Sequence, residues 1–131
     1  MPNNDQLKQV FAELKSLLKP YLKKMDVKKD TETEYWLYTR FLMRNKQPLC
    51  FGGVRMGKNY VSYHLLSVYA SPALLKTISP ELKKRMQGKA CFNFKQVDKK
   101  LFAELKTLTK VSATKFSNPD FIGTLRMMQQ R

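Results

Sequence analysis

The chain is poor in the residues that usually carry site chemistry. Among 131 residues there are one histidine, two cysteines and one tryptophan, and only 10 acids stand against 25 lysines and arginines. One histidine and two widely separated cysteines do not form the ligand pattern of a transition-metal site. The shortage of acids leaves a single acidic concentration, Asp26, Asp30, Glu32 and Glu34, with Lys28 and Lys29 between its members. Those carboxylates could hold a hard cation loosely, but interleaved lysines read better as a solvated turn. No run approaches the ~18 apolar residues of a membrane span, so no membrane partner is expected. The first residues, Met1-Pro2-Asn3-Asn4-Asp5, lack the basic start and apolar core of a signal peptide. Without an export signal, Cys50 and Cys91, each followed by phenylalanine, read as reduced, buried thiols of a cytoplasmic protein. A disulfide between neighbouring strands is the alternative.

Glycine is also scarce, and the few present do not bind phosphate in a recognised way. Gly88-Lys89 fails as a phosphate loop, because the earlier glycine and the following Ser or Thr are replaced by Lys83 and Ala90. Gly52-Gly53-Val54-Arg55-Met56-Gly57 departs from the dinucleotide fingerprint and falls in a hairpin. Its glycines are expected to allow a bulge or the close packing of a helix on the sheet.

What the chain does have is positive charge. The excess of bases over acids is +15, a field that favours polyanions, acidic lipid or phosphorylated ligands. Seven basic residues fall in 1–30 and eight in 91–131, so the charge is spread over the chain and resembles a solvated surface more than a groove. Charge of this kind supports weak, non-specific nucleic-acid binding. Trp36, Tyr38, Phe51, Tyr60, Tyr63, Tyr69, Phe92 and Phe94 could in principle stack single-stranded bases, although strand alternation will bury about half of them. No recognised nucleic-acid-binding signature accompanies them.

Leu7, Val10, Phe11, Leu14, Leu17, Leu18, Tyr21 and Leu22 recur at helical spacing and form one apolar stripe. Pro20 predicts a kink or break near Leu18–Lys19. Thr31–Leu42, rich in Thr and aromatics, predicts a strand. Leu49–Met56 and Tyr60–Tyr69 flank Gly57-Lys58-Asn59 and predict a hairpin. Ser71-Pro72 and Ser79-Pro80 each place a capping oxygen before a proline, predicting short helices over Pro72–Thr77 and Pro80–Met86, the second ended by Gly88. Lys89–Phe94 predicts a last strand, and Asp98 caps a helix carrying Leu101, Phe102, Leu105 and Leu108.

The resulting fold class is α+β: an antiparallel sheet of about four to five strands, with N- and C-terminal helices packed on one face. Residues 1–113 form this domain, and 114–131 a basic tail or short helix on which Phe121, Ile122, Leu125 and Met128 line one side. The segments Phe11–Lys19 and Phe102–Lys110 are identical at seven of nine positions. The strands do not repeat, so this echo reads as two helices meeting the same packing requirement on one sheet.

Alternation along Tyr60–Tyr69 puts Tyr60, Ser62, His64, Leu66 and Val68 on one face, with Val61, Tyr63, Leu65, Ser67 and Tyr69 on the other. In the last strand, Ala90, Phe92 and Phe94 belong to the core, which leaves Lys89, Cys91 and Asn93 open. His64 and Ser62 can share that open face, and Arg55 or Trp36 can join it. A Cys91–His64 nucleophile oriented by Asn93 would be the enzymatic reading. No turn that presents the thiol and no oxyanion-forming loop supports it, so a non-enzymatic role is expected.

Asn59-Tyr60-Val61-Ser62-Tyr63-His64-Leu65, the segment from Ser79 to Lys89, and Cys91-Phe92-Asn93-Phe94 resemble the YdhG-like domains of bacteria. These are small cytoplasmic α+β proteins, mostly without assigned function. The likeness spans roughly Phe11 to Lys110: a Phe-Gly-Gly hairpin, short helices, a Gly-Lys strand and a final helix. It implies a fold similar to frataxin, and one member of the family is regarded as an intracellular iron chaperone that uses an acidic ridge. Here the matching helix carries only Asp5 and Glu13 among many lysines. Iron would therefore have to fall to Asp26, Asp30, Glu32 and Glu34. The reading that results is a cytoplasmic, non-enzymatic domain binding a small anionic ligand or a protein partner on the open side of its sheet. Lys89, His64 and Arg55 would supply charge and hydrogen bonds there, Tyr69 and Trp36 contact area, with Cys91 and Asn93 alongside.

Overall fold

The computed structural model describes residues 4–42, 46–88 and 91–116, with the single residue 123; the side chains of residues 4, 24, 69, 70 and 72 fall outside that description. Lys89, the side chain of Tyr69, and the expected tail helix with Phe121, Ile122, Leu125 and Met128 thus lie outside the described residues.

The N-terminal apolar stripe forms helix α1, Asn4–Leu18, with Leu7, Val10, Phe11, Leu14 and Leu18 buried. Pro20 ends it as expected, and the chain tightens into a 3-10 helix, Lys19–Lys24. Three residues per turn shift the phase of the stripe, so Leu22 turns outward to 39% exposure instead of joining the core.

Strands β1 (Asp26–Asp30), β2 (Glu34–Leu42), β3 (Pro48–Met56) and β4 (Val61–Leu65) follow. The predicted strand over Thr31–Leu42 thus starts at Glu34, and Thr31 closes the preceding turn by accepting from the Glu34 amide at 3.0 Å. The predicted strand Tyr60–Tyr69 stops at Leu65, where helix α2, Leu66–Ala70, begins. Leu66 and Val68 are therefore buried and do not continue the open face, and Tyr69 belongs to α2. Helices α3 (Pro72–Lys76) and α4 (Pro80–Lys83) begin at the two Ser-Pro steps, with Ser71 and Ser79 accepting from the Leu74 and Leu82 amides at 3.2 Å. Helix α4 is shorter than predicted, because Met86–Gln87 forms β5. Gly88, at φ +77°, turns the chain from β5 toward β6, Cys91–Phe94, rather than ending a helix. Asp98 caps α5, Lys99–Lys115, through the Leu101 amide at 3.0 Å.

The strands form one antiparallel sheet in the order β1-β2-β3-β4-β6-β5. Six strands replace the expected four to five, and the two beyond the four placed from the sequence, β1 and β5, are edges that carry no apolar alternation. An exposed, charged Asp-Val-Lys-Lys-Asp edge and a two-residue edge are also poor templates for pairing with another chain.

One face of the sheet presents Tyr35, Leu37, Leu49, Phe51, Val54, Val61, Tyr63, Leu65, Phe92 and Phe94, all buried in a core that includes α1 and α5. The two helices carry the repeated nine-residue segment, but its eighth position differs: Leu18 in α1 and Thr109 in α5. Thr109 is buried and donates to the Leu105 carbonyl at 2.7 Å, which leaves its hydroxyl to accept from Tyr63 at 2.6 Å. Ser67 and Ser112 form a second buried hydroxyl pair between α2 and α5. Apolar packing is non-directional, so these satisfied polar contacts fix the rotation of α5 on the sheet. Phe116, just beyond α5, is buried against Phe51 at a ring separation of 5.6 Å, so the core extends past residue 113.

Candidate functional site

The site lies on the face that no terminal helix covers, and strand register builds it. Lys29 pairs with Trp36, Trp36 with Gly53, Gly53 with His64, His64 with Cys91, and Cys91 with Gln87. This row crosses the whole sheet. The adjacent row runs Glu34, Arg55, Ser62 and Asn93. Of the residues expected at the site, Trp36, Arg55, His64, Cys91 and Asn93 are thereby placed on one open surface.

The two consecutive glycines serve opposite faces. A bulge at Phe51 turns both Phe51 and Gly52 toward the helices, and a Cβ on Gly52 would stand 3.4 Å from Leu18 and 2.7 Å from the His64 carbonyl. On Gly53 a Cβ would fall 2.1 Å from the Trp36 ring, so the indole lies across the space that a side chain would fill. The expectation of a bulge and close helix packing holds for Gly52. Gly53 adds the seat of the indole, which no local sequence pattern marks. From that seat Trp36 meets the His64 ring at 5.7 Å and donates to Glu34 Oε1 at 3.2 Å.

His64 Nδ1 lies 3.2 Å from Cys91 Sγ. Burial holds the imidazole below its ordinary value and pushes the Cys91 thiol up, so both groups are neutral near pH 7. Cys50, on the same face beside Tyr38, is pushed to about 12, first by burial and then by repulsion from Cys91 once that thiol ionises. A reactive cysteine needs the reverse, an electropositive setting that favours thiolate. Asn93, expected to orient the histidine, instead accepts from Ser62 at 2.5 Å and donates to Gln87 at 2.5 Å. The arrangement therefore offers neutral hydrogen-bonding groups and an aromatic surface. Both cysteines are free thiols.

Three of the four carboxylates are already paired with basic side chains. Asp30 pairs with Lys15 of α1 at 2.9 Å, Asp26 with Arg40 at 3.6 Å, and Glu34 with Lys29 at 2.6 Å. Asp30 lies opposite the core residue Tyr35, whereas Asp26 lies opposite Tyr38 of the open face, and Glu32 stands exposed in the intervening turn. Lys29 and then the Trp36 hydrogen bond hold the Glu34 carboxyl below its usual range. Among the described residues no group of three or more His, Cys, Asp or Glu side chains converges as a metal site would require.

Beside Trp36 the face carries a shallow, open groove of about 320 Å³ lined by Lys28, Lys29, Trp36 and Tyr38. A bulge in β1 leaves Lys28 without a register partner between Val27 and Lys29, and brings both lysines to the same groove. Sequence reasoning missed these lysines because β1 has no apolar alternation to reveal it as a strand. The available signal was the Lys28-Lys29 pair just upstream of the aromatic run. Compared with family models, with curated proteins and with solved structures, the chain finds no match. No helix among the described residues is long and apolar enough to cross a membrane.

Proposed function

We propose that this is a cytoplasmic, non-enzymatic domain that binds a small anionic ligand with a planar ring on the open face of its sheet. The observation that carries the reading is the groove in which Lys28 and Lys29 flank Trp36 and Tyr38. Aromatic side chains offer a planar ligand area at low entropic cost, and two ammonium groups complement a phosphate or carboxylate on it. Lys29 already pairs with Glu34, so Lys28 is the cation more available to a ligand. Arg55 and the neutral His64–Cys91 pair extend the same surface. The free thiols support a reducing compartment. The YdhG-like likeness, and a frataxin-like fold with it, draw support from the hairpin, the short helices and the terminal helices on one sheet face.

Trp36 is the chain's single tryptophan and reports on the groove directly. Titration with adenosine 5′-monophosphate should quench its fluorescence to saturation, with adenosine and inorganic phosphate each binding more weakly. Base–aromatic stacking contributes about 1–3 kcal/mol, so Tyr38→Ala should weaken binding roughly tenfold. Lys28→Ala should weaken the nucleotide but leave adenosine unchanged. An unresponsive Trp36, or binding indifferent to both substitutions, would remove the reading. If only oligonucleotides bind, and release by ~0.2 M salt, the face is a non-specific polyanion surface.

A further inference from the structure

We propose that a second cleft, between the 3-10 helix and the end of α5, binds a small amphiphilic anion: a carboxylate or phosphate group on a compact apolar body. The cleft is half open to solvent and has a volume of about 450 Å³, which lies within the ~300–1,000 Å³ of small-molecule sites. One wall is Pro20, Tyr21 and Met25, and the other Ala113 and Thr114 of α5. Behind Tyr21 the aromatic packing continues, to Phe51 at 5.5 Å and from Phe51 to Phe116 at 5.6 Å, so this wall is held by the core. Lys23 and Lys110 complete the lining, and both are exposed. Neither forms an ion pair with another described residue.

Charge of one sign decides what the cleft can take. The segments that build it, 17–25 and 105–116, contain six lysines and no acid. The acids immediately adjacent to them, Asp26 and Glu104, are engaged elsewhere, with Arg40 and with Ser79. The carboxyl end of a helix disfavours anions modestly, and the lysines of α5 offset that effect. A neutral apolar ligand would leave the two ammonium groups unused, whereas an inorganic anion would leave the apolar wall wet. An amphiphilic anion satisfies both.

The cleft lies on the helical side of the sheet and is independent of the Trp36 groove, so either proposal can fail alone. Octanoate is the probe, followed by amide chemical shifts of the full chain. Saturable shifts at Tyr21, Met25, Ala113 and Thr114 are expected, without the response at Trp36 that a nucleotide should give. Octan-1-ol should bind more weakly, and the exposed-site double substitution Lys23→Gln, Lys110→Gln should weaken octanoate roughly tenfold while the remaining spectrum stays folded. Octyl phosphate should behave like octanoate. No saturable shift, equal binding of the alcohol, or indifference to the lysine substitutions would overturn the proposal. Sedimentation with phosphatidylglycerol vesicles in the absence of octanoate binding would overturn it too, in favour of a lipid surface.

Discussion

His64 and Trp36 are coupled by position, and that coupling can be read by pH. Burial lowers the His64 pKa from the usual 6.5, so the folded chain resists protonation that the unfolded chain accepts. Stability is then full above the unfolded value and is lost as pH falls from there through the folded value. Thermal melts of the native chain should fall more steeply below pH ~6.5 than those of His64→Gln. Trp36 fluorescence should drop with a midpoint below 6.5, as the imidazolium forms 5.7 Å from the indole. Parallel pH profiles of the two proteins would refute the coupling. Gly53 offers a separate test. Gly53→Ala places a methyl where the indole lies, and overpacking of this kind costs about 1–3 kcal/mol. Urea unfolding should show that loss together with a shifted Trp36 emission maximum. A variant as stable as the native chain, with unchanged emission, would show that the indole does not need this seat.

Elements were legible in proportion to how much apolar surface they bury. The stripe of α1, the Ser-Pro starts of α3 and α4 and the Asp98 cap of α5 follow from residue spacing and capping chemistry. Strand β1 and the two-residue β5 do not, because edge strands draw stability from backbone pairing and leave no alternating pattern in the sequence. The change from β4 to α2 at Leu66 was hidden for another reason: Leu66, Ser67 and Val68 are all buried, so no exposed residue marks where the strand ends. At α4 the cap does more than its local pattern tells. Ser79 Oγ accepts from Leu82 and donates to Glu104 Oε1 at 2.6 Å, while its amide donates to Glu104 Oε2 at 2.8 Å. Ser79→Ala removes both side-chain bonds and should cost about 1–2 kcal/mol, measured by chemical denaturation. A loss below ~0.5 kcal/mol would mean that α5 does not brace this start.

At the scale of the molecule, a net charge of +15 makes the folded chain repel itself. Only three ion pairs are formed among the described residues, each with at least one exposed partner, so screening should remove more repulsion than attraction. The melting temperature should therefore rise when sodium chloride is raised from ~0.02 to ~0.3 M. An unchanged or lower value would mean that local pairs outweigh the field.

Composition and periodicity by themselves determined the fold class, the terminal helices and which face of the last strand is core, because burial imposes those patterns locally. The site was different. That His64 and Cys91 would share an open face could be read from alternation. That Trp36 lies over Gly53, that Asn93 bonds to Ser62 and Gln87, and that Lys28 and Lys29 line one groove depend on strand order, register and bulges. Those are properties of pairing between segments distant along the chain, and only the tertiary structure decided them.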